Sequence, residues 1–520
     1  MEETKRFLPS YDVIVVGSGV GGLSAAVQLA LKGTKVLVLE QHNMTGGYSS
    51  SFIRGRYEFE VSLHELCECG DGKDGHTYGG VRKHLANAGV YPDLVCVPEA
   101  YRVIFENHNL DFTMPFGIEN AIKAVAKVVP QDEEKVRNYF KLCEEISNAL
   151  VYIEGCPQMK PDPMVMMTKH SSFLRTAGYS LGEVHDSFGF TPLTEDILSA
   201  YYGYITRNRR DVSFTVYGLL MYLYVRDGAH IINKTSHGLA VDLEERCRVL
   251  GAQIETGVYV AKMLVENGAV VGVQTADGSK IRAKRVLCNC QPDVVYTKMM
   301  DKKDVPDNAL KLCDKRVAGA SLFSAYVGLD ATPQELGIDS YEIFFNFDQD
   351  AKRVYDATKV WTKYITNMSA TCIDIAIPGM TGEGRCQIGF TYLLDPDAMA
   401  KDGVDPSIYQ KNKEEFLDHL IEMYERLTGA RIRGHIEEVE VATPATYVRY
   451  TGVPKGNVYA YEMTVVDGIV PRVNNKDAEQ YIKGLDFVGG FGRRAFGFCS
   501  SITNGFDTAE DTLLKLKEAK

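Results

Sequence analysis

One short stretch near the start of the chain restricts the fold more than any other feature of the sequence. Residues 12–16 (DVIVV) form an apolar, β-branched run that predicts a buried strand. The glycine-rich segment 17–22 (GSGVGG) follows, and the apolar spacing after it predicts a helix that ends near Gly33. Residues 36–39 (VLVL) predict a second buried strand, which ends at Glu40. Strand, glycine turn, helix and strand in this order predict a parallel βαβ unit and therefore an α/β fold.

The glycines of this turn have the spacing that suits a bound diphosphate. Gly17, Gly19 and Gly22 fit the pattern G-x-G-x-x-G. The first glycine permits a tight turn, the second lets the backbone approach a pyrophosphate, and the third lets the helix pack closely on the sheet. Glu40 then lies where a carboxylate can accept hydrogen bonds from ribose hydroxyls and repel a 2′-phosphate. The turn therefore predicts a dinucleotide site that disfavours NADP and leaves NAD and FAD open.

A second glycine pair extends this pattern and carries a family resemblance. Gly46 and Gly47 lie in VLEQHNMTGGYSSSF, residues 38–52. With the turn, this stretch resembles the FAD-binding family of phytoene desaturases, carotenoid isomerases and retinol saturases, which shares its fold with flavin amine oxidases. In that family the glycine pair lies along the FAD diphosphate. The resemblance implies FAD as cofactor, bound by a Rossmann-like domain of the glutathione-reductase type.

The resemblance returns in the middle of the chain. Residues 236–293 predict a helix followed by strands, with hairpin turns at Asn267-Gly268 and Asp277-Gly278. The family has the same order of elements, ending in a segment similar to residues 288–293 (CNCQPD). It implies that Val258 contacts the adenine through its backbone.

The C-terminal segment resembles the part of the family that closes the FAD site. Residues 484–511 predict a strand, a glycine loop and a helix that runs towards the end of the chain. By resemblance, Gly490, Gly497 and Phe498 face the flavin, with the positive end of the helix dipole beside it. The family usually has Pro-Gly before this helix, where this chain has Phe496-Gly497.

These segments also divide the chain into two predicted domains. We expect a discontinuous FAD-binding domain made of residues 1–74, 236–300 and 481–520. We expect a discontinuous α+β substrate-binding domain made of residues 75–235 and 301–480.

His64 is the first candidate for a catalytic residue. It lies in YEFEVSLHELCECG, which resembles the F-x-x-G-I-H-Y of retinol-saturase-like proteins, although Ser62 replaces the glycine. A histidine beside the flavin could donate a proton to carbon after hydride transfer. The alternative is a structural histidine. Glu65, the next residue, is expected to point away from this site.

A tyrosine-rich segment supplies the other catalytic candidates. Residues 443–463 (TPATYVRYTGVPKGNVYAYEM) resemble the family segment that borders the substrate cavity near the flavin. Tyr459 is the second candidate for the proton donor, and Arg449 is a further candidate. The alternative is a sheet face rich in tyrosine. The same segment contributes Tyr447, Tyr450 and Tyr461 as candidate cavity residues.

Two further stretches suggest an apolar substrate. Residues 214–225 (FTVYGLLMYLYV) are too few to span a bilayer and predict a buried helix or a channel wall. The second stretch, CPQMKPDPMVMMTKH, predicts either a packed loop or an adaptable apolar wall against a lipid-like substrate or a membrane. Its methionines are Met159, Met164, Met166 and Met167.

Composition limits the partners. A formal net charge of −12 argues against nucleic acid. The twelve cysteines show no zinc-site spacing, so no metal is expected and the compartment is expected to be reducing. No signal peptide is visible, which predicts a cytoplasmic protein, with a peripheral membrane contact left open. No second G-x-G-x-x-G is present in the sequence, so a net redox reaction would need a transient electron donor or acceptor.

The sequence therefore favours an FAD-dependent oxidoreductase that acts on C=C bonds. The expected reaction is saturation, desaturation or cis/trans isomerisation of an apolar polyene, retinoid or unsaturated lipid-like small molecule. One alternative is an FAD-dependent amine oxidase. The other is a flavin-fold escort protein that binds a lipid or prenyl group without catalysis, although such a protein need not keep the glycine turn and Glu40.

Overall fold

Two seven-stranded sheets organise the residues that the computed structural model describes. These residues are 6–62, 65–73, 78–156, 160–361, 364–398, 405–474, 481–492 and 496–518. The strands are β1 (Ser10–Val16), β2 (Val36–Leu39), β3 (Ser51–Arg54), β4 (Tyr57–Glu60), β5 (Leu94–Cys96), β6 (Tyr101–Phe105), β7 (Leu110–Met114), β8 (His230–Ile232), β9 (Gln253–Glu255), β10 (Val260–Glu266), β11 (Ala269–Thr275), β12 (Lys280–Cys288), β13 (Ser321–Leu329), β14 (Glu342–Asn346), β15 (Asn367–Thr371), β16 (Cys386–Leu394), β17 (Ile436–Ala442) and β18 (Leu485–Phe487).

Helices connect and cover these sheets. They are α1 (Val20–Leu31), α2 (Gly80–Asn87), α3 (Ile118–Val128), α4 (Glu133–Gly155), α5 (Pro163–Lys169), α6 (Ser171–Thr176), α7 (Leu181–Phe188), α8 (Pro192–Leu198), α9 (Phe214–Asp227), α10 (Thr235–Val249), α11 (Pro292–Lys298), α12 (Asp307–Lys315), α13 (Pro333–Leu336), α14 (Ala351–Ala357), α15 (Ile373–Ala376), α16 (Pro406–Thr428), α17 (Pro444–Thr451), α18 (Ile469–Asn474) and α19 (Phe498–Glu518). A short 3₁₀ turn at Ala200–Tyr204 precedes α9.

The first sheet contains the predicted βαβ unit. Its strand order is β10-β11-β12-β1-β2-β9, with β18 paired to β12. β1 is parallel to both β2 and β12, whereas β10, β11 and the first part of β12 are antiparallel. The hairpin predicted at Asn267-Gly268 is confirmed, and both residues have positive φ, of +52° and +72°. The prediction of an α/β, Rossmann-like fold is confirmed.

The second sheet presents two different faces because side chains alternate along its strands. Its order is β17-β13-β16-β15-β14-β6-β7. On one face, Phe323 of β13 meets Phe416 of α16 edge-on, with ring centroids 4.7 Å apart. On the other face, Leu322 and Tyr326 of the same strand line a cavity. The sheet is thus a wall with a closed core on one side and a cavity on the other.

The apolar run at residues 214–225 is α9, so the predicted buried helix is confirmed. The prediction of a packed loop for the methionine-rich segment is wrong, because this segment contains the short helix α5. Met166 is buried, whereas Met164 and Met167 are 66% and 65% exposed. Met159 lies outside the described residues. Among the helices of the described part of the chain, none combines the length and apolar character needed to cross a membrane.

The contact between helices α1 and α19 depends on glycine. α1 packs along α19, and a Cβ on Gly505 would lie 2.3 Å from the carbonyl oxygen of Gly21 and 2.7 Å from the Ser24 side chain. Gly505 is an interior residue of α19 and is surrounded by buried neighbours. Glycine at this position therefore sets how closely the two helices approach.

We predict that Gly505→Ala destabilises the protein. Alanine inside a helix normally stabilises by about 1 kcal/mol relative to glycine, but this Cβ overlaps backbone atoms of α1, and overpacking of this kind costs roughly 1–3 kcal/mol. Gly155→Ala is the control, because that glycine ends α4 and has nothing within 4 Å of its Cβ position. Urea unfolding should show a lower midpoint for the first variant only. Equal midpoints would contradict the packing argument.

Candidate active site

The glycine turn places backbone N–H groups where an anion could bind. β1 ends at Val16, Gly17 has φ of +94°, and α1 begins at Val20. Within the described part of the chain, no side chain caps the N-terminus of α1. Its first-turn N–H groups are therefore available to a ligand, with the positive end of the helix dipole behind them.

The second glycine pair lies against this turn. Gly46 donates its N–H to the Ser18 carbonyl at 3.0 Å. A Cβ on Gly47 would lie 3.2 Å from the Cα of Gly19, and a Cβ on Gly46 would lie 2.4 Å from the Ser49 carbonyl oxygen. Side chains in place of these glycines would crowd the region where the glycine turn meets residues 46–49. Because glycine leaves this region open, the residues present fit a dinucleotide diphosphate.

Glu40 faces the glycine turn and also stabilises it through hydrogen bonds. One carboxylate oxygen accepts hydrogen bonds from the Ser18 N–H and hydroxyl, both at 2.7 Å, and the other accepts from the His42 N–H at 2.8 Å. A carboxylate has about four acceptor positions. The protein uses three of them, and one remains for a ribose hydroxyl.

Val258 lies beside the end of the same strand. Its N–H donates to the Glu40 carbonyl at 2.8 Å. In this arrangement a backbone contact from Val258 to an adenine would use its carbonyl oxygen.

Asn289 is a residue of the site that sequence reasoning did not single out. It follows β12, and its N–H donates to the Val16 carbonyl at 2.8 Å. Its side chain lies between two glycines, since a Cβ on Gly19 would be 2.6 Å from its Nδ2 and one on Gly489 would be 2.1 Å from its Oδ1. The pairing of β12 with β1 creates this position, and its only signal in the sequence is the residue's place after a strand.

The C-terminal glycine loop reaches the same region. Asn504 of α19 donates its side-chain N–H to the Gly489 carbonyl at 2.8 Å. A Cβ on Gly490 would lie 3.2 Å from the Phe496 side chain. Gly497 has φ of +109°, and Phe498 is buried at the start of α19. The structure thus brings the predicted cofactor residues of three separate segments to one edge of the first sheet.

A cavity of about 280 Å³ adjoins this edge. Its walls come from the second sheet, from α9 and from residues 496–500 at the start of α19. Apolar and aromatic side chains form much of the lining: Val216, Leu219, Leu220, Leu223, Tyr224, Leu322, Phe344, Ile388, Phe390 and Phe498. The predicted channel wall at residues 214–225 is therefore part of this cavity.

Tyr459 is the predicted proton donor that the structure places in the cavity. Its ring stacks on Phe496 with centroids 5.0 Å apart. Its hydroxyl donates to the Gly203 carbonyl at 2.8 Å, and burial raises its pKa. To give a proton to a substrate, Tyr459 would have to break this hydrogen bond.

The other candidate residues of the tyrosine-rich segment lie outside the cavity lining, although Val458 and Met463 of the same segment belong to it. Arg449 is exposed on α17, with its guanidinium 5.7 Å from the ring of its exposed neighbour Tyr450. Tyr447 is buried and donates to the Ser324 hydroxyl at 2.9 Å, and the Tyr461 hydroxyl donates to Asp293. The helix α17 turns the Arg449 side chain to solvent, so the structure does not bring it to the proposed chemistry.

The structure places an unexpected carboxyl group in the cavity. His64 lies outside the described residues. Glu65 lines the cavity and is only 8% exposed. That it points away from His64 stays a prediction. Neither oxygen of its carboxyl group has a well-formed hydrogen bond from the described residues, but the hydroxyls of Tyr204 and Tyr341 lie near enough to lower its pKa against the effect of burial. The chain enters the cavity here in an irregular segment after β4, which strand alternation does not describe.

Glu342, on β14, is a second carboxyl group in the same lining. It accepts a hydrogen bond from the Tyr204 hydroxyl at 2.5 Å. Burial raises the pKa of Glu65 well above its usual range, and the Glu342 carboxylate raises it further. Both effects favour the protonated form of Glu65.

The glycine cradle on this fold defines a dinucleotide-binding, Rossmann-like protein. Residues 15–75 match the NAD(P)-binding Rossmann-like domain family. Cyclohexylamine oxidase from Brevibacterium oxydans IH-35A has a similar structure, with a TM-score of 0.62 and 12% identity over 98% of this chain and 100% of that one. This likeness concerns the fold.

Sequence similarity extends over most of the chain. All-trans-retinol 13,14-reductase from Danio rerio is 25% identical over 488 residues, which cover 86% of this chain and 77% of the relative. Prolycopene isomerase from Daucus carota, a chloroplastic protein, is 24% identical over 488 residues, covering 88% and 75%. The predicted resemblance to retinol saturases and carotenoid isomerases is confirmed, and so is the prediction of an enzyme.

The raised pKa of Glu65 predicts a pH-dependent cost to stability. When a carboxyl group binds its proton more tightly in the folded protein than in the unfolded chain, its pKa is higher in the folded state. The folded protein then loses stability as the pH rises from the unfolded pKa, about 4.3, towards the folded pKa. Glutamine carries no such proton. We therefore expect Glu65→Gln to become steadily more stable relative to wild type as the pH rises above about 4.

Chemical denaturation at several pH values measures this difference. Glu245→Gln is the matched control, because Glu245 is exposed on α10. A difference between wild type and Glu65→Gln that does not change with pH would contradict a buried neutral acid.

Proposed function

We propose that the protein is an FAD-dependent oxidoreductase that acts on C=C bonds of an apolar polyene, retinoid or unsaturated lipid-like substrate. The observation that carries this proposal is the apolar cavity adjoining the glycine-lined edge of the first sheet. Similarity over most of the chain to a retinol reductase and to prolycopene isomerases supports the same reaction class.

In this proposal FAD is bound by the predicted residues of the first sheet's edge. Gly17, Gly19 and Gly22 would face the diphosphate together with Gly46 and Gly47. The remaining contacts would come from Glu40 to the ribose, Val258 to the adenine, and Gly490, Gly497 and Phe498 to the flavin. The domain division at residues 1–74, 236–300 and 481–520 against 75–235 and 301–480 is proposed on the same grounds.

The bound flavin would supply hydride transfer, and the chain would supply orientation and exclusion of water. The α9 side chains and the second sheet would hold an extended apolar substrate against residues 496–500. Aromatic rings at that end include the stacked pair Tyr459 and Phe496. Aliphatic and aromatic side chains form much of the lining, and the apolar part of the wall would hold a polyene. The lining also contains the carboxyl groups of Glu60, Glu65, Glu68, Glu154 and Glu342.

Electrons would reach or leave this site through a transient partner, unless the reaction is an isomerisation with no net redox change. We base this on the single dinucleotide fingerprint of the sequence. An amine oxidase is the second candidate, since the carboxyl groups of Glu65 and Glu342 could pair with an ammonium group.

We also propose a cytoplasmic protein that touches membranes through an apolar patch. The patch consists of Val151, Met164, Met167 and Leu174, which are exposed on α4, α5 and α6. α6 packs on both α4 and α5, so these side chains belong to one group of helices. α4 also contributes Leu150 to the cavity lining, which places the patch close to the route of an apolar substrate.

We expect Gly19→Val to lose its flavin. A side chain at this position would enter the space between the glycine turn and Asn289, where the diphosphate is expected. Purified wild type should be yellow and release FAD on denaturation, whereas the variant should be colourless. Gly33→Asn is the control, because Gly33 follows α1 in open space and asparagine tolerates its positive φ. Full flavin content in Gly19→Val would refute this placement.

The reaction class is tested by a substrate screen. Anaerobic enzyme with chemically reduced flavin should saturate or isomerise C=C bonds of polyenes or retinoids, detected by chromatography and mass spectrometry. Oxidised enzyme should leave aliphatic amines unchanged. Oxidation of amines without action on any alkene would favour the amine oxidase instead.

Membrane contact is tested by co-sedimentation with phosphatidylcholine vesicles. The double variant Met164→Asp/Met167→Asp should sediment several-fold less than wild type, because charged side chains resist insertion into the lipid interface. Val249→Asp, at an exposed position of α10, is the control. Equal sedimentation of all three proteins would contradict the proposed patch.

A further inference from the structure

We propose that Glu65 is the proton donor to the substrate carbon that does not receive hydride. This inference rests on the proposed C=C reaction and adds a catalytic residue to it. The proposed flavin contacts and the cavity described above are unchanged by this inference. It arises from a buried carboxyl group that lies in the cavity without a hydrogen-bond partner among the described residues.

Contacts fix Glu65 near the proposed flavin end of the cavity. The next residue, Leu66, pairs through its backbone with His230, with hydrogen bonds of 2.8 and 2.9 Å in the two directions. Cys67 donates its N–H to the Cys499 sulfur at 3.0 Å, and the Cys499 thiol donates to the Cys67 carbonyl at 3.3 Å. Because Cys499 is in the first turn of α19, the segment that carries Glu65 is tied to residues 496–500.

A second chain of contacts reaches the same place from the other side. The Tyr204 hydroxyl donates to Glu342, and Tyr459 donates to the carbonyl of Gly203, the residue before Tyr204. Tyr459 in turn stacks on Phe496. Glu65, Glu342 and the tyrosines therefore surround one end of the cavity rather than being scattered along it.

Burial and the Glu342 carboxyl group favour the neutral form of Glu65, whereas the hydroxyls of Tyr204 and Tyr341 act in the opposite direction. Glu342 faces it from β14, Tyr204 and Tyr201 from the 3₁₀ turn, Tyr224 from α9, and Tyr341 from the residue before β14. Glu99 adds a weaker negative charge. A carboxylic acid in this setting keeps a proton that it can donate, and water is largely excluded from it.

The step balances as an addition of proton and hydride across the double bond. The O–H bond of Glu65 breaks, and a C–H bond forms at one carbon. The neighbouring carbon receives a hydride whose two electrons come from reduced flavin, supplied in turn by an external two-electron donor. Glu65 is left as a carboxylate beside Glu342, an unfavourable pair of like charges that promotes its reprotonation from solvent.

Glu342 acts in this proposal as a positioning residue. Its hydrogen bond from Tyr204 keeps that hydroxyl directed at Glu342. Its negative charge raises the proton affinity of Glu65. Removing the charge should therefore shift the pH dependence of the reaction without removing the donor.

A different use of Glu65 is a hydrogen bond to a polar end of the substrate. That use predicts weaker substrate binding when Glu65 is replaced, with an unchanged rate for bound substrate. Proton donation predicts the opposite pattern, so measurements of binding and rate on the same variants separate the two.

The experiment uses flavin-loaded enzyme reduced with dithionite under anaerobic conditions and mixed with a polyene that wild type saturates. Glu65→Gln should keep its flavin spectrum and its substrate affinity, while the single-turnover rate falls about 10²–10⁴-fold. Glu342→Gln should retain activity with its alkaline limb moved to lower pH, and Glu245→Gln should match wild type.

Infrared spectroscopy gives a readout that does not depend on turnover. Wild type at neutral pH should show the carbonyl stretch of a buried protonated carboxyl group, and Glu65→Gln should lose that band. An unchanged rate in Glu65→Gln, or a loss confined to substrate affinity, overturns the role of Glu65 alone. Failure of wild type to act on any alkene overturns the proposed function together with it.

Discussion

The structure depends on close backbone approach at the edge of the first sheet. The turn after β1 touches the Gly46-Gly47 segment and the side chain of Asn289, and α1 packs on α19 at Gly21 and Gly505. Each contact leaves no room for a Cβ. These approaches bring segments from the beginning, middle and end of the chain within reach of one ligand, and they also anchor α19, whose first turn closes the cavity.

The cavity follows from how the second sheet divides its faces. Alternation along β13 sends Phe323 into the core under α16 and Leu322 and Tyr326 into the cavity. α9 supplies the opposite wall with the apolar run of residues 214–225. A substrate held there would lie between a rigid sheet and residues 496–500, which is the arrangement that hydride transfer to an apolar C=C bond requires.

The carboxyl groups of Glu60, Glu65, Glu68, Glu154 and Glu342 line this cavity. Two carboxyl groups, Glu65 and Glu342, lie at the end where Tyr204 and Tyr459 meet residues 496–500. Burial and the nearby Glu342 carboxyl group favour the protonated form of Glu65. In the proposed reaction, the same burial would hold the proton that saturation of a double bond consumes.

The sequence by itself determined the βαβ unit, the glycine turns and the buried helix at residues 214–225. These features arise from local patterns: apolar periodicity, glycine spacing and Asn-Gly turns. Only the tertiary structure decided where Asn289, Arg449 and Glu65 lie. Asn289 depends on the pairing of β12 with β1, and α17 turns Arg449 to solvent. Glu65 enters the cavity through an irregular segment held by Cys499 and His230, distant residues that no local pattern could have connected to it.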